Sequence, residues 1–450
     1  MSIKDSKVKR WTVLSLISFL MLAAYFVTDL MSPLMDLLRE TKGWNADDFG
    51  WFMSAYGWFN VFLLMLLFGG IILDRKGVRF TGMTAATIMV IGTFIQFFAV
   101  SGNFNPERVL FGYKIQVVYA AVGYALFAIG AETAGITVTK IIVRWFKGKE
   151  LALAMGLQLS VARIGMAFAL SLVLPFAKLF TPPSVSAPLL LGVILILIGF
   201  AVFFIYTFME KELEKEGTQN EAGPEEVFKL SDWGLIVKNR GFWLIALLCV
   251  LFYSCVFPFL KFATSFMIHK FHVDEYWAGV IPAMLPFGTI LMTPIFGGIY
   301  DKKGKGASIM VIGAALLVFV HALFTVPILN NWIVAVVLMI ILGIAFSLVP
   351  SAMWPAVSKI IPEKQLGSAY SMIFYIQNIG LMGVPFLIGK VLENYCKVSE
   401  QGVEVFYDYT LPEVIFTGFA ILAVGVAIIL KTVDKKYGYG LEEPNTVADK

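Results

Sequence analysis

Five charged side chains lie inside long apolar runs: Asp29, Asp36, Glu132, Arg163 and Lys261, with His321 as a further titratable group. A charge near the centre of a bilayer costs about 2.5–3.5 kcal/mol on insertion scales, so each of them calls for a partner or a task. Glu132 and Arg163 offer the sharpest chemistry. A helical hairpin turning near residues 145–146 leaves Glu132 about 13 residues before the turn and Arg163 about 17 after it. At 1.5 Å per residue both fall near mid-depth, offset by roughly 6 Å along the axis. Gly130, Ala131 and Gly135 flank one, Ala162 and Gly165 the other, and such small residues leave room for a ligand. A carboxylate and a guanidinium a few ångströms apart match a zwitterion. Arg grips a carboxylate through two parallel hydrogen bonds, and Glu accepts from an ammonium. The same two groups could instead pair directly as a buried salt bridge. Both readings stay open, and a pair closed in the empty state could open around substrate.

The remaining charges are less specific. Asp29, four residues after Tyr25, is either a proton-accepting carboxylate or a hydrogen-bonding group of the bundle. Asp36 lies near a span end, where it can snorkel. Lys261 follows Phe257-Pro258-Phe259-Leu260 and either snorkels to the headgroups or forms a second anchor for a carboxylate. His321 reads as a core histidine or as a proton relay. Tyr25, Tyr56, Tyr119, Tyr253, Trp354, Tyr370 and Tyr375 supply an aromatic wall, although most aromatics in such a chain pack or sit at interfaces. Trp354 stands out because Pro350 and Pro355 bracket it. Gln377 and Asn378 could complete the hydrogen bonding of a peptide group or bond between helices.

Elements long enough to hold these residues in lipid follow from composition. Of 450 residues, 59% are hydrophobic and 15% charged, and no water-facing surface can be built from so few polar groups. A soluble enzyme, a nucleic-acid binder and a disordered scaffold are excluded on that ground. Cys249, Cys255 and Cys396 show no pairing or metal spacing, so neither a disulfide framework nor a metal or cofactor is expected. Twelve spans of about 20 residues or more are expected, at 11–38, 47–73, 80–101, 115–140, 150–177, 187–209, 241–267, 275–299, 306–327, 332–352, 364–391 and 411–432. Of 35 Lys and Arg, 25 fall on the side of the termini and 8 on the other, while Arg163 and Lys261 lie within spans. Basic loops stay inside, so both termini are expected to be cytoplasmic. The Glu-rich segment 210–240 divides the spans six and six. It is expected to be a solvated cytoplasmic linker between bundles at 1–209 and 241–450.

The two halves repeat. After span 2 the chain reads Gly70-x-x-x-Asp74-Arg75-Lys76-Gly77-Val78-Arg79, and after span 8 Gly297-x-x-x-Asp301-Lys302-Lys303-Gly304. Leu151–Gly165 aligns without a gap on Leu366–Gly380, which makes Asn378 the counterpart of Arg163. In the loop element the first Gly is expected to let helices approach, the Asp to cap or pair, and the basic residues to face headgroups. Paired halves of this kind mark transporters built around a midplane site, so the element is assigned to gating. The expected fold class is therefore an all-α membrane protein of twelve transmembrane helices in two pseudo-symmetric bundles.

This pattern resembles the major facilitator superfamily over the whole chain. Longer strings narrow the resemblance to its lysosomal dipeptide transporter branch. They are Trp145-Phe-Lys-Gly-Lys-Glu-Leu151, Gly156-Leu-Gln-Leu-Ser-Val-Ala-Arg163-Ile-Gly165, Val256-Phe-Pro-Phe259, Trp354-Pro355, Pro362-Glu-Lys-Gln-Leu-Gly-Ser-Ala-Tyr370 and Ile376-Gln-Asn-Ile-Gly-Leu381. The resemblance implies a carrier of dipeptides in which Glu132 receives the amine, Arg163 the carboxylate, and Trp354 joins the site. The first ten residues hold no dileucine-type sorting signal, and no loop looks built for a glycosylated subunit. A monomer in a prokaryotic cytoplasmic membrane is thus expected, with lipid and a small-molecule substrate as its partners. Span 1 lacks the Glu-x-x-Glu-Arg element of proton-coupled oligopeptide carriers, so obligatory proton coupling is not implied and uniport and symport both stand. The alternative is a proton-coupled carrier of another small organic solute, such as a sugar, drug or organic anion.

Overall fold

The computed structural model describes residues 3–102, 104–105, 107–146, 149–216, 234, 236–362, 365–400 and 403–444. Lys147, Gly148, Glu363 and Lys364 of the strings quoted above, and 217–233 and 235 of the expected linker, lie outside the described residues. The first half forms α1 (Lys7–Asp29), α2 (Met35–Lys42), α3 (Ala46–Phe62), α4 (Met65–Ser101), α5 (Ile115–Phe146), α6 (Leu151–Lys178) and α7 (Ser186–Lys215). The second forms α8 (Arg240–Phe271), α9 (Glu275–Ala278), α10 (Val280–Lys303), α11 (Gly306–Phe324), α12 (Trp332–Ile360), α13 (Leu366–Tyr395) and α14 (Thr410–Tyr437). Two short hairpins also occur among the described residues, β1 (Val109–Leu110) with β2 (Tyr113–Lys114) and β3 (Lys397–Glu400) with β4 (Val403–Tyr407).

In lipid every backbone N–H and C=O must be satisfied within the chain, and the helix does this locally. Side-chain hydroxyls follow the same rule. Thr28, Thr93, Thr137, Ser171 and Ser347 each donate to the carbonyl four residues earlier. Caps sit where the chain meets water. Ser6 accepts from Lys9 N at the start of α1, Asn239 from Gly241 N and Phe242 N at α8, and Asn331 from Ile333 N at α12.

Among the described residues eleven helical segments are long and apolar enough to cross a membrane. The twelfth crossing is divided. α3 stops at Phe62, Leu64 takes φ 53°, and α4 then runs through Gly77 at φ 78°, ψ 172°, a non-helical residue that kinks it. Span 2 is thus α3 continued by the start of α4, and span 3 is the rest of α4. Span 1, expected as one helix over 11–38, is also broken. α1 ends at Asp29, and Ser32–Leu34 form one 3-10 turn before α2. Pro33 has no N–H to continue the ladder.

The chain divides into two compact units. Unit 1 holds Met1–Gly43 and Ala55–Val227, and unit 2 holds Trp44–Ser54 and Phe228–Lys450. In unit 1, α4 lies along α5, and α1 packs on α6 and α7. In unit 2, α8 packs on α13, α14 and α12, and α11 on α14 and α12. The first turns of α3 belong to unit 2 through dense contacts. Asp47 pairs with Lys390 Nζ at 2.5 Å, and Ala46 N donates to Tyr407 Oη at 3.2 Å and to Glu393 Oε2 at 3.3 Å. A Cβ on Gly50 would lie 2.6 Å from Pro385 O, so two backbones touch there. Phe94, Phe98, Leu172, Leu291, Ile295 and Ile421 project outward from the helices as an apolar surface suited to lipid.

Candidate functional site

A close crossing brings the functional side chains of unit 1 together. A Cβ on Gly165 would sit 2.1 Å from Leu22 O, so α6 rests directly on the α1 backbone. Arg163 lies two residues before this contact, and Tyr25 three residues after Leu22. Tyr25 is accordingly within electrostatic reach of Arg163, Glu132 and Asp29 at once. Gly130 plays the same part between α5 and α4, where its Cβ would lie 2.6 Å from Ala85 O. These two glycines therefore serve helix packing and do not create the ligand room expected of them. Gly135 keeps that property, because the nearest atom to its Cβ is Met21 Cε at 3.8 Å.

Glu132 is half-buried, and Tyr56 Oη donates to its Oε1 at 2.8 Å. A hydrogen bond to a charged group is worth about 1.5–3 kcal/mol, enough to hold the carboxylate in one orientation. Tyr124 supports Tyr56 from behind: their rings are 5.7 Å apart, and Tyr124 Oη donates to Thr28 O at 2.7 Å. Arg163 is half-buried and Asp29 buried. Tyr25, Tyr56, Glu132, Arg163 and Asp29 thus form one neighbourhood. Tyr119 does not join it, being exposed and set against Phe104. Tyr124 is a further member of this neighbourhood. Its only signal in the sequence is a place about two turns before Glu132 on the same helix.

Unit 2 holds a cluster of aromatics around Trp354. Trp354 Nε1 donates to Tyr253 Oη at 3.1 Å, and Tyr370 Oη donates to Trp354 O at 3.1 Å. Phe374 stacks on the indole at 4.9 Å, and Phe257 on Tyr253 at 5.4 Å. Gln377 Oε1 accepts from Cys249 Sγ at 3.4 Å. Asn378, buried, donates to Phe374 O at 3.0 Å within its own helix. The repeat persists in the packing. Gly380, counterpart of Gly165, would place a Cβ 2.3 Å from Ser254 Oγ and 2.7 Å from Val250 Cγ2 on α8. Tyr253 follows Val250 by three residues, as Tyr25 follows Leu22. Lys261 is buried in α8, so it does not snorkel. His321, also buried, bonds Glu413 Oε2 through Nδ1 at 2.7 Å. The sequence gives no sign of this burial, since Glu413 sits in the first turn of a span, where a carboxylate normally meets water.

The loop motifs are held differently in the two units. Asp74 pairs with Lys140 on α5 at 2.9 Å, and Arg79 with Glu214 on α7 at 2.6 Å. Arg75, Asp301 and Lys302 are exposed. Gly77 and Gly304 take φ 78° and 67°, which favours glycine at both. Gly70 and Gly297 make no close approach to any described residue, contrary to expectation. Glu210, read as part of a solvated linker, is fully buried in α7. It accepts from Trp145 Nε1 at 2.7 Å and Tyr206 Oη at 2.8 Å and pairs with Arg144 at 2.7 Å.

A model of the Major Facilitator Superfamily matches residues 17–385. The lysosomal dipeptide transporter MFSD1 of Mus musculus is 31% identical over 446 residues, covering 96% of this chain and 88% of the relative. The Homo sapiens protein of that name is 29% identical over 442 residues with the same coverage. The inner membrane transport protein YdiN of Escherichia coli (strain K12) is 24% identical over 219 residues, 46% of this chain and 49% of that one. Similar solved structures include a D-xylose-proton symporter (TM-score 0.69, 15% identity, 94% and 97% of the two chains). A bacterial homologue of the human lysosomal transporter Spinster is alike to the same degree (TM-score 0.72, 13% identity, 96% and 98%). At such identities these likenesses concern the fold.

Proposed function

The chain belongs to the Major Facilitator Superfamily, a multi-pass membrane transporter and not an enzyme, and we propose that it carries dipeptides by alternating access. The observation that carries this reading is the neighbourhood of unit 1. A half-buried carboxylate and a half-buried guanidinium share Tyr25 as neighbour inside apolar helices. Glu132, oriented by Tyr56, receives the peptide ammonium, and Arg163 grips the carboxylate. The likeness to lysosomal dipeptide transporters supports the same assignment. Trp354 and Tyr253 are assigned to side-chain recognition, Gln377 and Asn378 to the peptide amide. Asp29 and Lys261 are the reserve charge sites. The Gly77 and Gly304 loops are assigned to gating, with both termini cytoplasmic and the protein monomeric.

Reconstitution into liposomes tests the reading. Labelled dipeptide is expected to enter by counterflow, while Arg163→Ala and Glu132→Gln lose at least tenfold in uptake. Wild-type uptake by Arg163→Ala would sink the clamp. Stabilisation by sugars or organic anions but not by dipeptides would favour the other carrier class.

A further inference from the structure

We propose that the loop between α10 and α11 is a built peptide-binding groove whose ligand is the chain's own segment Tyr439–Glu443, a displaceable strap on unit 2. Two glycines shape the groove. A Cβ on Gly304 would lie 2.4 Å from Glu442 O, and one on Gly306 2.8 Å from Leu441 O. Their absence lets the strap backbone lie on the loop. There Lys305 N donates to Glu442 O at 2.9 Å and Gly306 N to Leu441 O at 2.8 Å.

The strap's side chains are used as a ligand's would be. Leu441 is fully buried as the apolar anchor, and its amide donates to Asp434 Oδ1 at 3.0 Å. Lys305, at the N-cap of α11, contributes no side-chain cap. Glu442 supplies one instead, accepting from Ser308 N at 2.7 Å and from Ser308 Oγ at 2.9 Å. A carboxylate there also meets the positive end of the helix dipole. Lys359, near the end of α12, donates to Gly440 O at 2.9 Å and Glu443 O at 2.7 Å. Lys431 of α14 donates to Ser308 Oγ at 2.7 Å. Tyr439 reaches the start of α8, where its hydroxyl donates to Asn239 Oδ1 at 3.3 Å. One short segment thereby fastens the ends of five helices.

The first repeat shows that the motif does not require an occupant. Gly77 has the same positive φ, yet a Cβ there would meet nothing within 4 Å. Ion pairs from Asp74 and Arg79 hold that loop instead. The second copy has Lys305-Gly306 after its glycine and takes a Leu-Glu peptide in their place. The groove therefore selects an acidic segment with one leucine anchor. A ligand tethered by a few residues acts at an effective concentration of order mM. A free peptide of the same sequence competes in that range.

Hydrogen exchange on the full chain in detergent tests this. Adding about 10 mM of the capped peptide Tyr-Gly-Leu-Glu-Glu-Pro, above the tethered concentration, is expected to speed exchange at the Leu441 amide at least tenfold. The Lys305 and Gly306 amides stay protected, because the free peptide replaces the strap. In Leu441→Ala/Glu442→Gln chain without peptide, those two amides are expected to exchange at least tenfold faster, and the peptide restores their protection. If the peptide leaves Leu441 exchange unchanged in the wild type, the strap is a fixed part of the fold and the proposal is wrong. The wild-type arm stands even if the double variant unfolds, and neither arm depends on which solute is carried.

Discussion

At the scale of single residues, the site is legible wherever chemistry contrasts with its background. Glu132 and Arg163 stand out because charge is costly in an apolar run. Tyr124 and Tyr253 do not, since aromatics serve as packing throughout such a chain and only contacts reveal which ones hold a partner. Tyr56→Phe removes the hydroxyl that orients Glu132 and leaves the ring in place. A lost hydrogen bond to a charged group, about 1.5 kcal/mol, corresponds to roughly a tenfold rise in KM for dipeptide uptake. Maximal rate should stay within about twofold; an unchanged KM would show that Tyr56 does not orient Glu132. Outside the spans, Cys396 makes a pH prediction. Burial, reinforced by the charge of Asp408, pushes its thiol up to about 11. The thiolate is the reactive form, so a raised value means fewer thiolates at a given pH. Maleimide labelling of Cys396 should be very slow at pH 8 and should climb about tenfold per pH unit toward that value. Rapid labelling at pH 8 would contradict the burial.

At the scale of elements, the spans follow from length and apolar content, and their interruptions do not. The turn at Ser32–Leu34 and the left-handed Leu64 fall inside stretches apolar enough to read as continuous spans. Pro33 was the one visible cue. The purpose of the glycines is not legible in the sequence either. Gly130 and Gly165 lie near the charges, but tertiary contact decides that they face another backbone. Gly165→Ala should accordingly lower the unfolding temperature by several degrees and reduce uptake, because a methyl cannot share space with Leu22 O. Gly156→Ala, on the same helix with nothing near its Cβ, should be neutral or slightly stabilising, Ala being the better helix former by about 1 kcal/mol. Equal melting temperatures for the two variants would remove the close crossing from the account.

At the scale of the whole molecule, the internal repeat was visible in the loop strings, and it extends to the Leu22–Gly165 and Val250–Gly380 crossings. Which side chains converge within each unit is not legible in the sequence, because it depends on tertiary contacts. Unit 1 brings Glu132 and Arg163 around Tyr25, and unit 2 stacks Phe374 on Trp354. Dipeptide at about 100 times its Kd should stabilise the fold by about 2.7 kcal/mol, seen as a higher melting temperature. A single amino acid, whose ammonium and carboxylate share one carbon, is expected to stabilise it less. Equal stabilisation by both would reject the spacing argument. The membership of Trp44–Ser54 in unit 2 has a consequence for synthesis. Asp47 precedes Lys390 by 343 residues. At about 5–20 residues per second, it leaves the ribosome roughly 17–70 seconds before its partner exists. Through that interval the start of α3 waits in the nascent chain with its final contacts unmade, so assembly of unit 2 closes only as the last two helices arrive.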